Sequence, residues 1–185
     1  MNFDFGTLVF LLVLVFLNGL FAMSEIALVV SRKAKLTVWA DEGDARAERV
    51  MRIQSDPTRA FSTIQVGITS IGILSGIVGE SALAEPITAA LVRLGMHADY
   101  AHVVGLAVVV VLVTYFSIVL GELVPKRLGQ TCAESVACRV AGPLNVFALL
   151  MAPFVKLLAV STEVVLKPFG LEKAKKDDMT EEEIH

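Results

Sequence analysis

Apolar residues fall in four long blocks along the chain, Phe5 to Val30, Thr58 to Val78, Ala101 to Val124 and Val140 to Leu166. Charged stretches separate them. Each block is close to the length of a membrane-spanning helix, on the order of 20 residues. Between the first two blocks, Ala34 to Gln54 carries Leu36, Trp39, Val50 and Ile53 among charged residues, a spacing that predicts an amphipathic helix. Asp56-Pro57 then reads as an N-cap with proline at the first helical position. After the second block come Glu80, Glu85 and Pro86, and Ser81 to Tyr100 reads as an external re-entrant or surface segment.

Of 185 residues, 55% are hydrophobic, and the mean hydropathy is +0.70. That excludes an ordinary soluble domain and indicates one integral membrane domain. The first block lacks a basic leader and a small-residue cleavage pattern, so it is not expected to be a signal peptide. The net charge of −3 points to no polyanionic or polycationic partner. Where the charges lie says more. Arg32, Lys33 and Lys35 follow the first block, then Arg46, Arg49, Arg52 and Arg59, which places this side in the cytosol and the N-terminus outside. Arg139 precedes the fourth block, Lys167 follows it, and Pro143, Pro153 and Lys156 interrupt it. It is therefore expected to dip into the inner leaflet without crossing. The expectation is an all-α membrane protein with three crossings, amphipathic juxtamembrane helices and a cytosolic C-terminus. The domain spans residues 1–170, and residues 171–185 form a charged linker containing a capping-box pattern, Thr180 with Glu183. Cys132 and Cys138 have no matching Cys/His pair, so a disulfide or zinc site is weakly indicated.

The chemistry concentrates where the third block ends, at Gly121-Glu122-Leu123-Val124-Pro125-Lys126. An acid at a membrane boundary is costly unless something cationic meets it. Pro125 has no N–H, so in a helix the Gly121 carbonyl loses its partner. A freed carbonyl beside a carboxylate is half of a hard-cation site. The rival reading is a kinked helix end with a snorkelling acid. In the second block Gln65, Thr69 and Ser70 supply side-chain oxygens. Gly67, Gly72 and Gly76 are structural positions, and the Gly72/Gly76 pair would let another backbone approach closely, hence an expected homodimer. No metal-peptidase or Ser/His pattern lies in the spans, and no enzyme is expected.

Three motifs in order resemble the transmembrane domain of the CNNM/CorC family, linked to magnesium transport. They are Asn18-Gly19-Leu20-Phe21-Ala22-Met23-Ser24-Glu25-Ile26-Ala27-Leu28, then Gln65-Val66-Gly67-Ile68-Thr69 with Gly72-Ile73-Leu74-Ser75-Gly76, and the Gly121 to Lys126 element. The resemblance implies a homodimer in the lipid bilayer with an inward-facing cavity for one dehydrated Mg2+. It implies export coupled to Na+ entry, and ATP binding only through CBS modules outside this chain. Some relatives carry an amide-bearing motif where Ile68 and Thr69 stand, and some branches are associated with polyamine export. A scaffold or sensor for cytosolic CBS modules is the alternative class. Within that frame Glu122, Gly121, Ser24, Thr69 and Ser70 are the expected magnesium ligands. Pro125 is the helix breaker. Asn18 is expected to make an interhelical hydrogen bond or line a second ion path. Glu25 is expected to pair with Arg32 or a neighbouring chain. Lys126 and Arg127 read as interfacial anchors.

Overall fold

The computed structural model describes residues 5–55 and 57–167, and the described residues are all helical or in short connections. Asp56, the Thr180/Glu183 pattern and the 171–185 linker lie outside them. In order, the elements are α1 (Phe5–Val30), α2 (Lys33–Asp41), α3 (Ala45–Ser55), α4 (Pro57–Arg93), α5 (Ala98–Ile118), a π-helical turn (Val119–Leu123), α6 (Val124–Thr131) and α7 (Ala133–Leu166).

Three boundaries differ from the sequence reading. Ala34 to Gln54 is two helices, not one. They part where Gly43 takes a φ of +93°, a left-handed conformation that glycine adopts without strain. The second block does not stop near Val78. It runs on through Glu80, Glu85 and Pro86 to Arg93 as one helix of 37 residues, so no separate re-entrant segment forms. At 1.5 Å per residue that is roughly 55 Å, well beyond an apolar layer of about 30 Å, so part of α4 stands outside it. The fourth block is one helix of 34 residues with Pro143 and Pro153 inside it. By length and composition it can cross a membrane, as can α1, α4 and the α5–α6 unit, which makes four such helices among the described residues.

Close contacts at glycines fix the directions. Cβ atoms built on Gly79 and Gly105 would lie 2.5 Å from Val113 Cγ2 and 2.6 Å from Thr88 Oγ1, so α4 and α5 run antiparallel. Gly121 faces Asn18, Gly19 faces Pro125, and Gly129 faces Met23 and Ile26, so α1 and the α5–α6 unit run parallel. α7 returns along α1, with Glu134 at Arg32 and the Phe147 ring packed at a tilt of 57° against Phe21, 5.0 Å between ring centroids.

The buried core sits at the charged end of the spans. Ala27 and Leu28 of α1, Leu36 of α2, Ala47 and Val50 of α3, Ile64 of α4, and Ala137, Cys138, Ala141 and Leu144 of α7 pack together there. Two polar devices close this junction. Gln54 Nε2 donates to the Leu28 and Ser31 carbonyls at 3.1 Å each, satisfying acceptors that the end of α1 leaves open. Glu134 accepts from Arg32 Nε at 3.0 Å and from Lys35 Nζ at 3.3 Å. Elsewhere α1, α5 and α7 leave long apolar side chains exposed, among them Phe16, Val103, Val111 and Leu149. That suits helices whose outer faces meet lipid rather than water.

Candidate cation pocket at the break in the third span

The break begins with a hydrogen-bond shift. Val124 N–H donates to the Val119 carbonyl, five residues back, instead of to Leu120. One residue later Pro125 has no N–H to offer Gly121. Two consecutive carbonyls, Leu120 and Gly121, thus lose their ordinary α-helical donors. A π turn is a common way to do this locally while the helix continues.

α1 is built to meet the break. Asn18 is buried and donates Nδ2–H to the Gly121 carbonyl at 3.0 Å. Gly19 lies against Pro125 and the Leu120 carbonyl, where a Cβ would be 2.9 Å from Pro125 Cγ. The Gly121 carbonyl expected to stand open for a cation is therefore occupied in part by Asn18. Its second lone pair remains. A carbonyl can only accept, so the amide nitrogen of Asn18 faces Gly121 and Oδ1 points away. Asn18 Oδ1 and the Ser117 hydroxyl, one turn before Gly121, are buried with no hydrogen-bond partner among the described residues.

The Glu122 carboxylate is engaged as well. Lys126 Nζ lies 2.8 Å from Glu122 Oε1 and 3.4 Å from Glu25 Oε2, so one ammonium bridges two carboxylates from different helices. All three side chains are part-buried, 30–39% exposed. Glu25 thus pairs with Lys126 and not with Arg32, which is taken by Glu134. Lys126, read as an interfacial anchor, is the central charge of this cluster. The reason is helical spacing: Glu122 and Lys126 are one turn apart, and the parallel packing of α1 carries Glu25 to the same level.

The remaining expected ligands are placed differently. Ser24 is buried and donates to the Leu20 carbonyl at 2.6 Å, the local bond open to any helical serine. Its oxygen lone pairs remain free to accept. Thr69 and Ser70 are exposed on α4, and the bond at Thr69 comes from Gln65 of its own helix at 3.5 Å. No hydrogen bond joins them to the π turn. Gly67 does not break α4; it admits the Phe21 ring, 3.0 Å from where its Cβ would be. Gly72 and Gly76 face open space, so within one chain their capacity for close approach is unused. No group of three or more His, Cys, Asp or Glu fit to hold a metal occurs among the described residues.

Comparison with known proteins agrees with this architecture. The family model described as the Cyclin M transmembrane N-terminal domain (CNNM) matches residues 8–185. A Synechocystis protein designated UPF0053 protein sll0260 is 42% identical over 177 residues, covering 96% of this chain and 40% of its own length. The Escherichia coli K12 polyamine export protein is 33% identical over 180 residues, covering 97% of this chain and 40% of its own length. The Bacillus subtilis UPF0053 protein YhdT is 34% identical over 175 residues, covering 95% of this chain and 38% of its own. The chain thus spans about two fifths of the length of the curated relatives it matches. With a π-turned third span buttressed by a parallel α1, and a family match across nearly its whole length, this multi-pass membrane protein belongs to the CNNM transmembrane-domain family.

Proposed function

We propose that this chain is the membrane part of a secondary transporter that exports a cation through the pocket at the π turn. One observation carries the reading: two carboxylates on different helices, Glu25 and Glu122, converge on a single ammonium beside a helix break. Broken helices with unpaired backbone carbonyls at membrane depth are how transporters commonly build cation sites. A scaffold has no use for such a cluster.

The pocket as found already holds an alkylammonium, the lysine's own, in two-carboxylate coordination. A polyamine ammonium would make the same contacts once Lys126 swings away. The name of the Escherichia coli relative supports that cargo. Magnesium is the second cargo. It prefers about six oxygens near octahedral geometry. Glu122, the second lone pair of the Gly121 carbonyl and the Ser24 oxygen would supply part of that shell. Lys126 must then leave, and Thr69 or Ser70 must approach from α4. Sodium entry is the proposed driving gradient. The proposed assembly is a homodimer meeting through the open Gly72/Gly76 face, with three crossings and α7 returning at the cytosolic side. The N-terminus is then outside, and CBS modules would lie beyond this chain.

The test is calorimetric titration of the protein in lipid nanodiscs with spermidine and with Mg2+, alongside Glu122→Gln and Glu25→Gln. Spermidine binding lost in both variants supports the pocket and the polyamine cargo. Mg2+ binding lost in Glu122→Gln, with no spermidine binding, selects magnesium. Binding of both cations unchanged in both variants sinks the site. Accessibility of Lys167→Cys to a membrane-impermeant thiol reagent from the same side as Cys132 supports the returning α7; labelling from opposite sides makes it a fourth crossing.

A further inference from the structure

A polar cavity lies away from the π turn, where α3 meets α4 and α7. It has a volume of about 210 Å3. Arg49, Arg52 and Asn145 supply its polar wall, and Ala60, Leu144 and Ala148 are among its apolar floor. Arg49 reaches across from α3 onto the backbone of α7, its Nη1 lying 3.3 Å from the point a Cβ on Gly142 would occupy. Glycine at 142 leaves room for that guanidinium. Arg49 has no ion-pair partner among the described residues, while Arg52 has only a loose pair with exposed Glu48 at 3.5 Å. Asn145 is exposed and its amide makes no hydrogen bond among the described residues.

The position of these donors decides the ligand. Ala60 lies at the start of the apolar part of α4, and Leu144 and Ala148 lie on apolar α7, so the cavity straddles the boundary between charged and apolar surface. Continuing along the same face of α7, at three- and four-residue steps from Leu144 and Ala148, Met151, Ala152 and Val155 are apolar and half-buried. Two guanidiniums and an amide at one end, with an apolar track leading away, match a molecule with an anionic head and a hydrocarbon tail. Guanidinium groups bind phosphate through paired N–H donors, and basic pockets between membrane helices hold anionic lipid head groups.

We propose that this cavity is a binding site for an anionic phospholipid, its phosphate held by Arg49 and Arg52 with Asn145, and one acyl chain laid along α7. The proposal does not depend on what the π-turn pocket carries. The bound lipid would tie α3, the cytosol-side helix, to α4 and α7.

Native mass spectrometry of the detergent-solubilised protein tests this, titrating phosphatidylglycerol against phosphatidylcholine. The expected result is preferential retention of phosphatidylglycerol, weakened about 25-fold in R49A/R52A, taking each basic contact as about fivefold. Arg127→Ala removes one exposed positive charge outside the cavity and should change retention less than twofold. Asn145→Asp, an exposed change that leaves the arginines intact, should also reject the anionic lipid, which guards against misreading an unfolded double variant. Equal retention of the two lipids, or an equal loss in Arg127→Ala, overturns the proposal. So does inorganic phosphate protecting the protein from thermal unfolding as well as phosphatidylglycerol does, because the occupant would then be a soluble anion.

Discussion

Replacing Lys126 with methionine should tighten cation binding at the π turn while slowing transport. The reasoning starts from the two contacts of its ammonium, 2.8 Å to Glu122 and 3.4 Å to Glu25. At an effective dielectric of about 20 each would be worth roughly 5 kcal/mol, and in bulk water roughly 1 kcal/mol. The three side chains are about a third exposed. Solvent screening and the ordering of long side chains therefore bring the net interaction down to about 1–2 kcal/mol in total. A cargo cation entering this site must displace that interaction, so its removal should raise affinity for spermidine, or for Mg2+, about 5- to 30-fold. Methionine keeps the length and apolar stem of lysine, so packing of α6 on α1 changes little. Calorimetry in nanodiscs measures the affinity, and flux from proteoliposomes measures the transport. Lys126→Arg retains the charge and should bind close to the unaltered protein. Unchanged or weaker affinity in Lys126→Met would falsify the idea that the lysine stands where the cargo binds, and would leave Glu122–Lys126 as an ordinary helical ion pair.

Other substitutions test the packing that presents this pocket. Gly129→Ala places a Cβ 2.7 Å from the Met23 carbonyl and 2.6 Å from Ile26 Cγ2, so α1 and α6 must part, at a cost of about 1–3 kcal/mol. A fall in the thermal midpoint in detergent checks it. Gly72→Ala meets open space within one chain and should leave that midpoint unchanged, while a Gly72→Leu/Gly76→Leu pair should shift a cross-linked dimer to monomer. An unaffected dimer removes the α4 face as the interface. Asn18→Leu leaves the Gly121 carbonyl without its donor and should destabilise by about 1–3 kcal/mol, with faster hydrogen exchange at Leu123, Val124 and Lys126. Glu134→Gln removes the charge that gathers Arg32 and Lys35 and should loosen the start of α7, read as increased labelling of Cys138, which is buried, against Cys132, which is exposed.

Membrane blocks, their order and the break at Pro125 are legible in the chain because each rests on a local rule: apolar length, charge asymmetry, a missing N–H. The ends of α4 and the division of α2 from α3 are not. Glu80 and Glu85 look like the end of a span, but helix propensity carries α4 past them, and only the packing of Thr88 against Gly105 shows that the extension has a partner. The role of Lys126 was hidden for a different reason. A lysine just beyond an apolar block satisfies the positive-inside pattern whether it faces water or an acid. Its meeting with Glu25 depends on the parallel alignment of two helices about a hundred residues apart in sequence, which no local pattern encodes. The spacing of Glu122 and Lys126 by one helical turn was a signal that could have been read.

The two sides of the break are held differently, and that difference bears on how a cargo could pass. On the α1 side, Gly19, Gly121 and Gly129 bring backbones into contact, and Asn18 bonds directly to the interrupted helix. Such contacts tolerate little sliding, because each sets a glycine close against a backbone carbonyl of the facing helix, Leu120, Val15 and Met23 in turn. On the α4 side, Thr69 and Ser70 are exposed and make no bond to the break. The cluster of Glu122, Lys126 and Glu25 consists of long side chains that can change rotamer without moving a helix. A transport cycle built on this arrangement would keep α1 and the π turn as one rigid unit. It would exchange the lysine for the cargo by side-chain rotation and close the site by moving α4. Disulfide cross-linking between Ile26→Cys and Gly129→Cys, which join α1 to α6 outside the cluster, should therefore leave flux intact, provided the doubly substituted protein still folds. A bridge from Ser70→Cys to Leu123→Cys should trap a closed form. Flux abolished by the first bridge in a folded protein would show that α1 and the π turn separate during transport, and would place the moving boundary on the wrong side of the break.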